Sequence, residues 1–422
     1  IRVLDLTHML AGPYGSQLLV DMGAEVIKIE ALTGDPMRAM GPYFVKDESA
    51  YFLSANRGKK SICLNLKSEQ GKNVFLDLLA VSDVVFENFR PGVMDRLGLG
   101  YQSLKRRKPD IVVCSISGYG QDGPRREQPA FDLALQAMGG GMSVTGEPGR
   151  VPVRMGLPIA DLAGGMLAAM SVAGALFRRA QTGHGACLDI SLFDGQVSML
   201  TYMAQYYLVG GEVPQPWGAQ HENVVPYNAY ATADGLLVVA AFTQKFWSAL
   251  CVAMELEDLI DDPRFAANED RRQNRHILNA LLAKKFRTRP TDQWMKRLTA
   301  AGVPAGPLQR IDEVLRGPQV AARNMRVTVE HPTAGPLEVI GNPIKVADTP
   351  QELAPPPLLG QHTAEILTGL LGYSPEQVAA LERDNAIRTL DGQPSGQAQT
   401  AKEPVERGSA QSALDGLSPR LL

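Results

Sequence analysis

The chain has 422 residues, 45% hydrophobic and 21% charged, with a formal net charge of −3. That composition is soluble and globular, and the length exceeds one ordinary core, so two domains are expected. The near-neutral balance argues against nucleic-acid binding and against attachment to an anionic membrane. Cys63, Cys114, Cys187 and Cys251 are far apart and form no CxxC. They are read as reduced and buried, which suits the cytoplasm, or the mitochondrial matrix in a eukaryote. No signal peptide is evident. The chain opens inside an apparent strand, so a natural N-terminus is expected to be missing.

Residues 1–6 read as a buried strand, 12–22 as a helix started by Gly12-Pro13, and 25–30 as a second strand. This tight βαβ unit belongs in a doubly wound parallel sheet. Glu30 closes the second strand, where dinucleotide folds carry a ribose-binding acid. The first turn lacks GxGxxG, however, which argues against a nicotinamide enzyme. Further strands are expected at 61–66, 83–87 and 111–116. A helix opened near Asp132 ends in Gly139-Gly140-Gly141, either a plain loop or a close approach to a ligand.

The stretch 156–166 sets a lone carboxylate, Asp161, ahead of a charge-free apolar run at 162–177. That run suits a buried helix and is about one turn short of a membrane span. An Asp so placed is first of all a helix N-cap. The other reading is a catalytic carboxylate, kept ionised and nucleophilic by the positive helix end. Residues 186–190 read as a strand, and 191–209 as one mostly buried helix. Prolines and Trp217 mark 211–220 as a linker or lid. Residues 227–242 form a hairpin around Asp234-Gly235, and 330–339 a second one. The expected layout is a large domain starting with 1–210, a smaller α+β domain at 225–320, and a return to the large domain at 325–385. From 391 to 422 large apolar residues become scarce and disorder is expected.

Ligands of open α/β sheets bind beyond the carboxyl ends of the strands. His8, Arg38, Arg57, Lys67, Asn88, Phe89, Arg90 and Arg96 are assigned to those ends. Each cation alone is an ordinary surface charge, but the group suits a polyanion carrying phosphates. The six histidines show no HxxxH or HExxH spacing, so no metal is expected. Neither GxSxG nor a Walker loop is present.

Six segments carry a family resemblance: VLDLT at 3–7 with AGP at 11–13, GAEVIKIE at 23–30, NRGKKS at 56–61, ENFRPG at 87–92, SGYG at 117–120 and LLGQHT at 358–363. They resemble the class III CoA-transferases, the family of formyl-CoA and carnitine CoA-transferases and of α-methylacyl-CoA racemases. The resemblance spans residues 1–385. Within the family it is nearest to enzymes that pass CoA from succinyl-CoA to glutarate and related dicarboxylates. Arg154, Trp217-Gly218, His221, Val225-Pro226-Tyr227 and His331-Pro332-Thr333 carry that finer likeness.

The resemblance implies a Rossmann-like large domain with a parallel sheet, a smaller α+β domain and an interlocked homodimer. It implies Asp161 as the nucleophile. It also implies CoA contacts at Leu10, Ala11, Arg38, Leu64, Lys67, Asn88, Phe89, Arg90, Arg96, Ala130 and Phe131. A coenzyme A thioester is then a substrate, with no permanently bound cofactor. His8, Arg38, Arg154 and His221 are candidates to grip the far carboxylate of a dicarboxylic acid. Several members carry an arginine after the second-strand glutamate; here it is Ala31, and Arg38 is the candidate replacement. Backbone N–H groups at Gly139-Gly140-Gly141 or Trp217-Gly218 are candidates for holding oxyanions. The racemases use a His-Asp pair where this chain has Phe131-Asp132. A phenyl ring cannot shuttle a proton, so CoA transfer is favoured over 2-methylacyl-CoA racemisation. A non-catalytic acyl-CoA-binding protein is the other alternative.

Overall fold

The computed structural model describes residues 1–347 and 352–391; the stretch after 391, expected to be disordered, lies outside them. Its largest sheet uses β1 (Arg2–Asp5), β2 (Glu25–Glu30), β3 (Lys60–Leu64), β4 (Val84–Glu87), β5 (Val112–Ser117), β6 (Ala186–Ser191) and β7 (Ile387–Arg388). Their order is β7-β3-β2-β1-β4-β5-β6, with β7 antiparallel and the other neighbours parallel. Strands β1 to β6 thus follow the doubly wound order.

Alternation sorts the strand residues onto two faces. Leu4, Ile27, Ile29, Ile62, Val85 and Val113 enter one core. Val3, Val26, Val84, Phe86, Val112 and Cys114 enter the other. Parallel register sets Val3 beside Val26 and Val84, and Leu4 beside Ile27 and Val85.

Helices α1 (Ala11–Asp21), α2 (Asp132–Met138) and α3 (Ile159–Thr182) matter most for the site. Helix α3 starts earlier and runs longer than the 162–177 stretch suggests. Among the described residues it is the one helix long and apolar enough to cross a membrane. Its Ala160, Ala168, Ala169 and Val172, however, are packed in the second core. It crosses α1 at glycines. A Cβ on Gly165 would lie 2.5 Å from the Ala11 carbonyl oxygen, and one on Gly15 would lie 2.7 Å from the Gly165 carbonyl oxygen. Only glycine lets two backbones approach so closely.

The single helix expected at 191–209 is two helices, α4 (Leu192–Ser198) and α5 (Thr201–Gly210). Thr201, at φ 42°, starts the second on a left-handed residue. Helix α5 buries none of its residues, which corrects the expectation of a buried segment. The sequence pattern is apolar all round there, and such a pattern does not say what covers it.

A further core forms under an antiparallel sheet of Tyr227–Ala231, Leu236–Ala240 and Ala305–Pro307. It is filled by Trp247, Phe265, Phe286 and Trp294. The hairpin Arg326–His331/Gly335–Ile340 follows. Segment 358–363 then docks on β3. The Ser61 N–H donates to His362 Nδ1 at 3.1 Å, the Gly360 N–H donates to Ser61 Oγ at 3.0 Å, and the Cys63 N–H donates to Thr363 Oγ1 at 3.2 Å.

Candidate active site

Strand order reverses between β1 and β4, so the crevice lies beyond their carboxyl ends. The turn after β1 is held on every side. Lys28 Nζ donates to the Thr7 carbonyl at 2.7 Å and pairs with Asp35 at 2.8 Å. Met9, at φ 65°, donates its N–H to Asp35 at 3.4 Å. The Asn88 amide clasps the main chain of His8 both ways, accepting from its N–H at 3.0 Å and donating to its carbonyl at 2.8 Å. The His8 ring stands 5.6 Å from that of Phe89. Burial pulls the His8 pKa below its ordinary value, so the ring is neutral at pH 7 and acts there as a hydrogen-bonding group rather than a cation. Phe89 donates its N–H to Glu87 at 2.8 Å, and burial pushes Glu87 up to about 7.

Beneath the turn, Lys59 is fully buried. It pairs with Asp5 at 3.1 Å and donates to the Pro13 carbonyl and to Asn56 Oδ1, both at 2.9 Å. Burial lowers its pKa to about 8. Asp5 also accepts from Thr7 N–H at 2.9 Å and from the Ser16 hydroxyl at 2.6 Å. The NRGKKS segment is therefore a prop under the crevice and not part of its wall.

Asp161 is not the N-cap that the sequence suggests. Pro158 occupies that place, and Asp161 is the third residue of the first turn of α3. The capping acceptor comes from α2: Asp132 Oδ1 takes the Ala160 N–H at 2.9 Å. Gln136 donates to Asp132 Oδ2 at 2.7 Å and to the Leu157 carbonyl at 3.2 Å, and accepts the Met155 N–H at 2.9 Å. Asp161 is also not held ionised by the helix end. Burial, and then the charge of Asp132, push its pKa to about 7. Tyr51 feels the charges of both Asp161 and Asp35, and it packs with Met9 and Leu10 around buried Met37 and Phe52. Asp161 lies one turn before Gly165, which packs against Ala11 and Gly15 at the start of α1. A poorly solvated carboxylate, half ionised near neutrality, is basic enough to be a competent nucleophile.

The remaining expected residues differ in exposure. Leu10 is half-buried and Ala11 buried at the start of α1; Leu64 is buried at the end of β3. Lys67, Arg90, Arg96 and Arg154 are exposed. Ala130 is half-buried against Gly118, and Phe131 is 73% exposed. Arg38 makes a two-pronged pair with Glu30, both bonds 2.8 Å, and lies 3.6 Å over the Phe52 ring. Glu30 is consequently an arginine partner rather than a free acid, and it is held at about 2.

One expectation fails outright. Arg57 precedes β3 and is buried, so it is not at a carboxyl strand end; it grips Asp21 and donates to the Ile340 carbonyl at 3.1 Å. The Gly139 and Gly218 N–H groups are spent on the Leu135 and Gly146 carbonyls, each at 2.8 Å, which leaves Gly140, Gly141 and Trp217 of the expected oxyanion donors. His221 stacks on Tyr202 at 6.4 Å and packs on Tyr227. Among the described residues no group of His, Cys, Asp and Glu could hold a metal. Tyr51, Asp35 and Gln136 were not anticipated. The i,i+4 spacing of Asp132 and Gln136 on one helix was the available signal for the last.

Comparison with known proteins identifies the family. The model of CoA-transferase family III matches residues 1–363. The chain belongs to that family. This CoA-transferase is 40% identical to the succinyl-CoA:glutarate CoA-transferase of Mus musculus, over 88% of this chain and 86% of that protein. It is 40% identical to the acetyl-CoA:oxalate CoA-transferase of Acetobacter aceti, over 87% of this chain and 94% of the other. A CAIB/BAIF family protein of Brucella suis superposes with a TM-score of 0.79 at 36% identity, covering 88% of this chain and 98% of that one.

Proposed function

We propose that this class III CoA-transferase moves CoA from succinyl-CoA or a similar thioester to a dicarboxylic acid of the glutarate type, with Asp161 as the relay. The placement of Asp161 carries the reading: a half-buried carboxyl of pKa about 7 stands one turn before the point where α3 packs on the start of α1. An Asp161 oxygen attacks the thioester carbonyl carbon, the C–S bond breaks, and CoA leaves as thiolate. The thiolate then attacks the aspartyl carbonyl of the resulting anhydride, releasing the donor acid and leaving an aspartyl-CoA thioester. The acceptor carboxylate repeats the two steps in reverse. The exposed cations Lys67, Arg90 and Arg96 suit the phosphates of CoA, and Arg154 the far carboxylate of the acceptor. No permanently bound cofactor is needed for these steps.

A two-domain layout and an interlocked homodimer belong to the same proposal. Two exposed apolar faces support the dimer: Leu208 and Val209 on α5 are 73% and 79% exposed, and Met170 and Phe177 on α3 are 65% and 69% exposed. A thiol-reducing compartment, the cytoplasm or the mitochondrial matrix, suits the free cysteines. Asp161→Ala should abolish exchange while CoA binding survives. Hydroxylamine or borohydride trapping after incubation with succinyl-CoA should mark the peptide containing Asp161. Exchange that persists in the variant, or α-proton exchange without CoA transfer, would overturn the proposal.

A further inference from the structure

Asp132 touches the nucleophile's helix without touching Asp161 through a hydrogen bond of its own. Its two oxygens are committed: one to the Ala160 N–H at 2.9 Å, the other to Gln136 Nε2 at 2.7 Å. Gln136 in turn fixes both sides of the loop that leads into α3, at Met155 and Leu157. The first turn of α3 is thus clamped by one i,i+4 pair on α2. The same pair sets a second carboxylate beside Asp161. We propose that Asp132 is a positioning residue for CoA transfer, capping the helix that carries Asp161 and facing that carboxylate with a like charge. The inference rests on Asp161 being the nucleophile.

The like charge has a direction. Free Asp161 carries a negative charge that Asp132 opposes. When an Asp161 oxygen attacks the thioester carbon, the C–S bond breaks and the charge leaves on the CoA sulfur. When that sulfur attacks the aspartyl carbonyl, the charge leaves on the released acid. Acylated Asp161 is neutral, so the repulsion disappears in both covalent intermediates. Whatever factor Asp132 adds to proton binding at Asp161, it adds equally to acylation, because both neutralise the same charge. The other ionisable groups that face Asp161 are few. Tyr51 approaches from the helix Ala50–Ser54, and Tyr14 of α1 lies one turn along, against Gly165. Both are neutral near pH 7, so Asp132 is the charge that counts.

The test compares wild type with Asp132→Asn and Gln136→Met. The D132N side chain keeps an oxygen for the Ala160 N–H, loses the charge, and also loses the bond from Gln136 Nε2, a loss that Q136M shares and so controls for. The Q136M side chain loses the loop bonds and leaves the charge of Asp132 in place. Two quantities are read: the acid limb of kcat/KM against pH, and the share of the 155–178 peptide carrying CoA when succinyl-CoA is present without acceptor. In D132N the limb should move down by on the order of one pH unit, and the adduct share should fall by about the matching tenfold. Q136M should lower kcat at all pH values and leave the limb in place. An unmoved limb and an unchanged adduct share in D132N would overturn the inference while leaving Asp161 as nucleophile. No adduct on that peptide in wild type would sink the nucleophile, and the inference with it. Should D132N fail to fold, Asp132→Ser supplies the uncharged oxygen instead.

Discussion

The glycine crossing of α1 and α3 predicts that two substitutions on one helix will have opposite signs. In Gly165→Ala the new methyl would stand 2.5 Å from the Ala11 oxygen, 3.1 Å from the Gly15 nitrogen and 3.2 Å from Tyr14 Cδ1. Two of those three atoms are backbone, so the helices must part. Overpacking of this kind costs about 1–3 kcal/mol, against a gain of about 1 kcal/mol from replacing glycine inside a helix. The net loss is up to about 2 kcal/mol, or up to about 8 °C in melting temperature for a large domain. Gly174, in the same helix, has no atom within 4 Å of the place a methyl would take. In the dissociated subunit, where the face of Met170 and Phe177 is uncovered, Gly174→Ala should therefore gain about 0.5–1 kcal/mol from helix propensity alone. Differential scanning calorimetry of both variants beside wild type is the assay, with CoA exchange measured in parallel. Asp161 is one turn from the wedge, so G165A should also lose activity in its folded fraction, by on the order of a hundredfold for a 1 Å displacement. A G165A protein as stable and as active as wild type would refute the close crossing.

Asp161 should cost stability where it is charged. Its folded pKa of about 7 exceeds the ordinary 3.8, so the folded state binds the proton more tightly, and stability falls as pH rises between those values. Asp161→Asn should raise the urea midpoint at pH 8 and leave it unchanged at pH 4; equal shifts at both pH values would contradict the assignment. Exchange by wild type should drop about tenfold per pH unit below 7 as the nucleophile protonates, and a flat profile down to pH 5 would count against it. Arg57→Lys loses a buried two-pronged grip on Asp21 and should destabilise the fold by about 3 kcal/mol in denaturant titrations; a loss under about 0.5 kcal/mol would deny the grip. Asn88→Ala frees the His8 main chain and should raise KM for the CoA thioester about tenfold with a smaller effect on kcat, the reverse pattern being the failing result.

The parallel sheet was legible because its strands are short β-branched stretches bounded by turn residues, nearly all apolar at 111–116 and interrupted by charge at 25–30. The convergence of His8 with Asn88 and Phe89 was legible too, since both follow strands that a doubly wound order sets side by side. Local pattern was silent on what lies behind a charge. Arg57 reads as a ligand cation, yet its partners Asp21 and Ile340 are brought to it only by the fold. The start of α3 was misjudged because an Asp before an apolar run usually caps, whereas here the capping oxygen comes from Asp132, 28 residues earlier than its Ala160 partner. Two of the expected oxyanion donors, Gly139 and Gly218, are lost for a related reason: a glycine N–H is free in a sequence until the fold supplies a carbonyl such as Leu135 or Gly146.

Strand β3 carries a consequence for how the protein is made. Its hydrogen-bonding partners in segment 358–363 follow 301 residues later in the case of Ser61 and His362. A ribosome adding about 5–20 residues per second needs about 15–60 s to deliver them. Through that interval Lys60–Leu64 presents an uncovered strand edge, the kind of surface that invites pairing with another nascent chain. Newly synthesised protein should therefore lean on chaperones that shield strand edges, and truncations ahead of Gly360 should aggregate rather than fold.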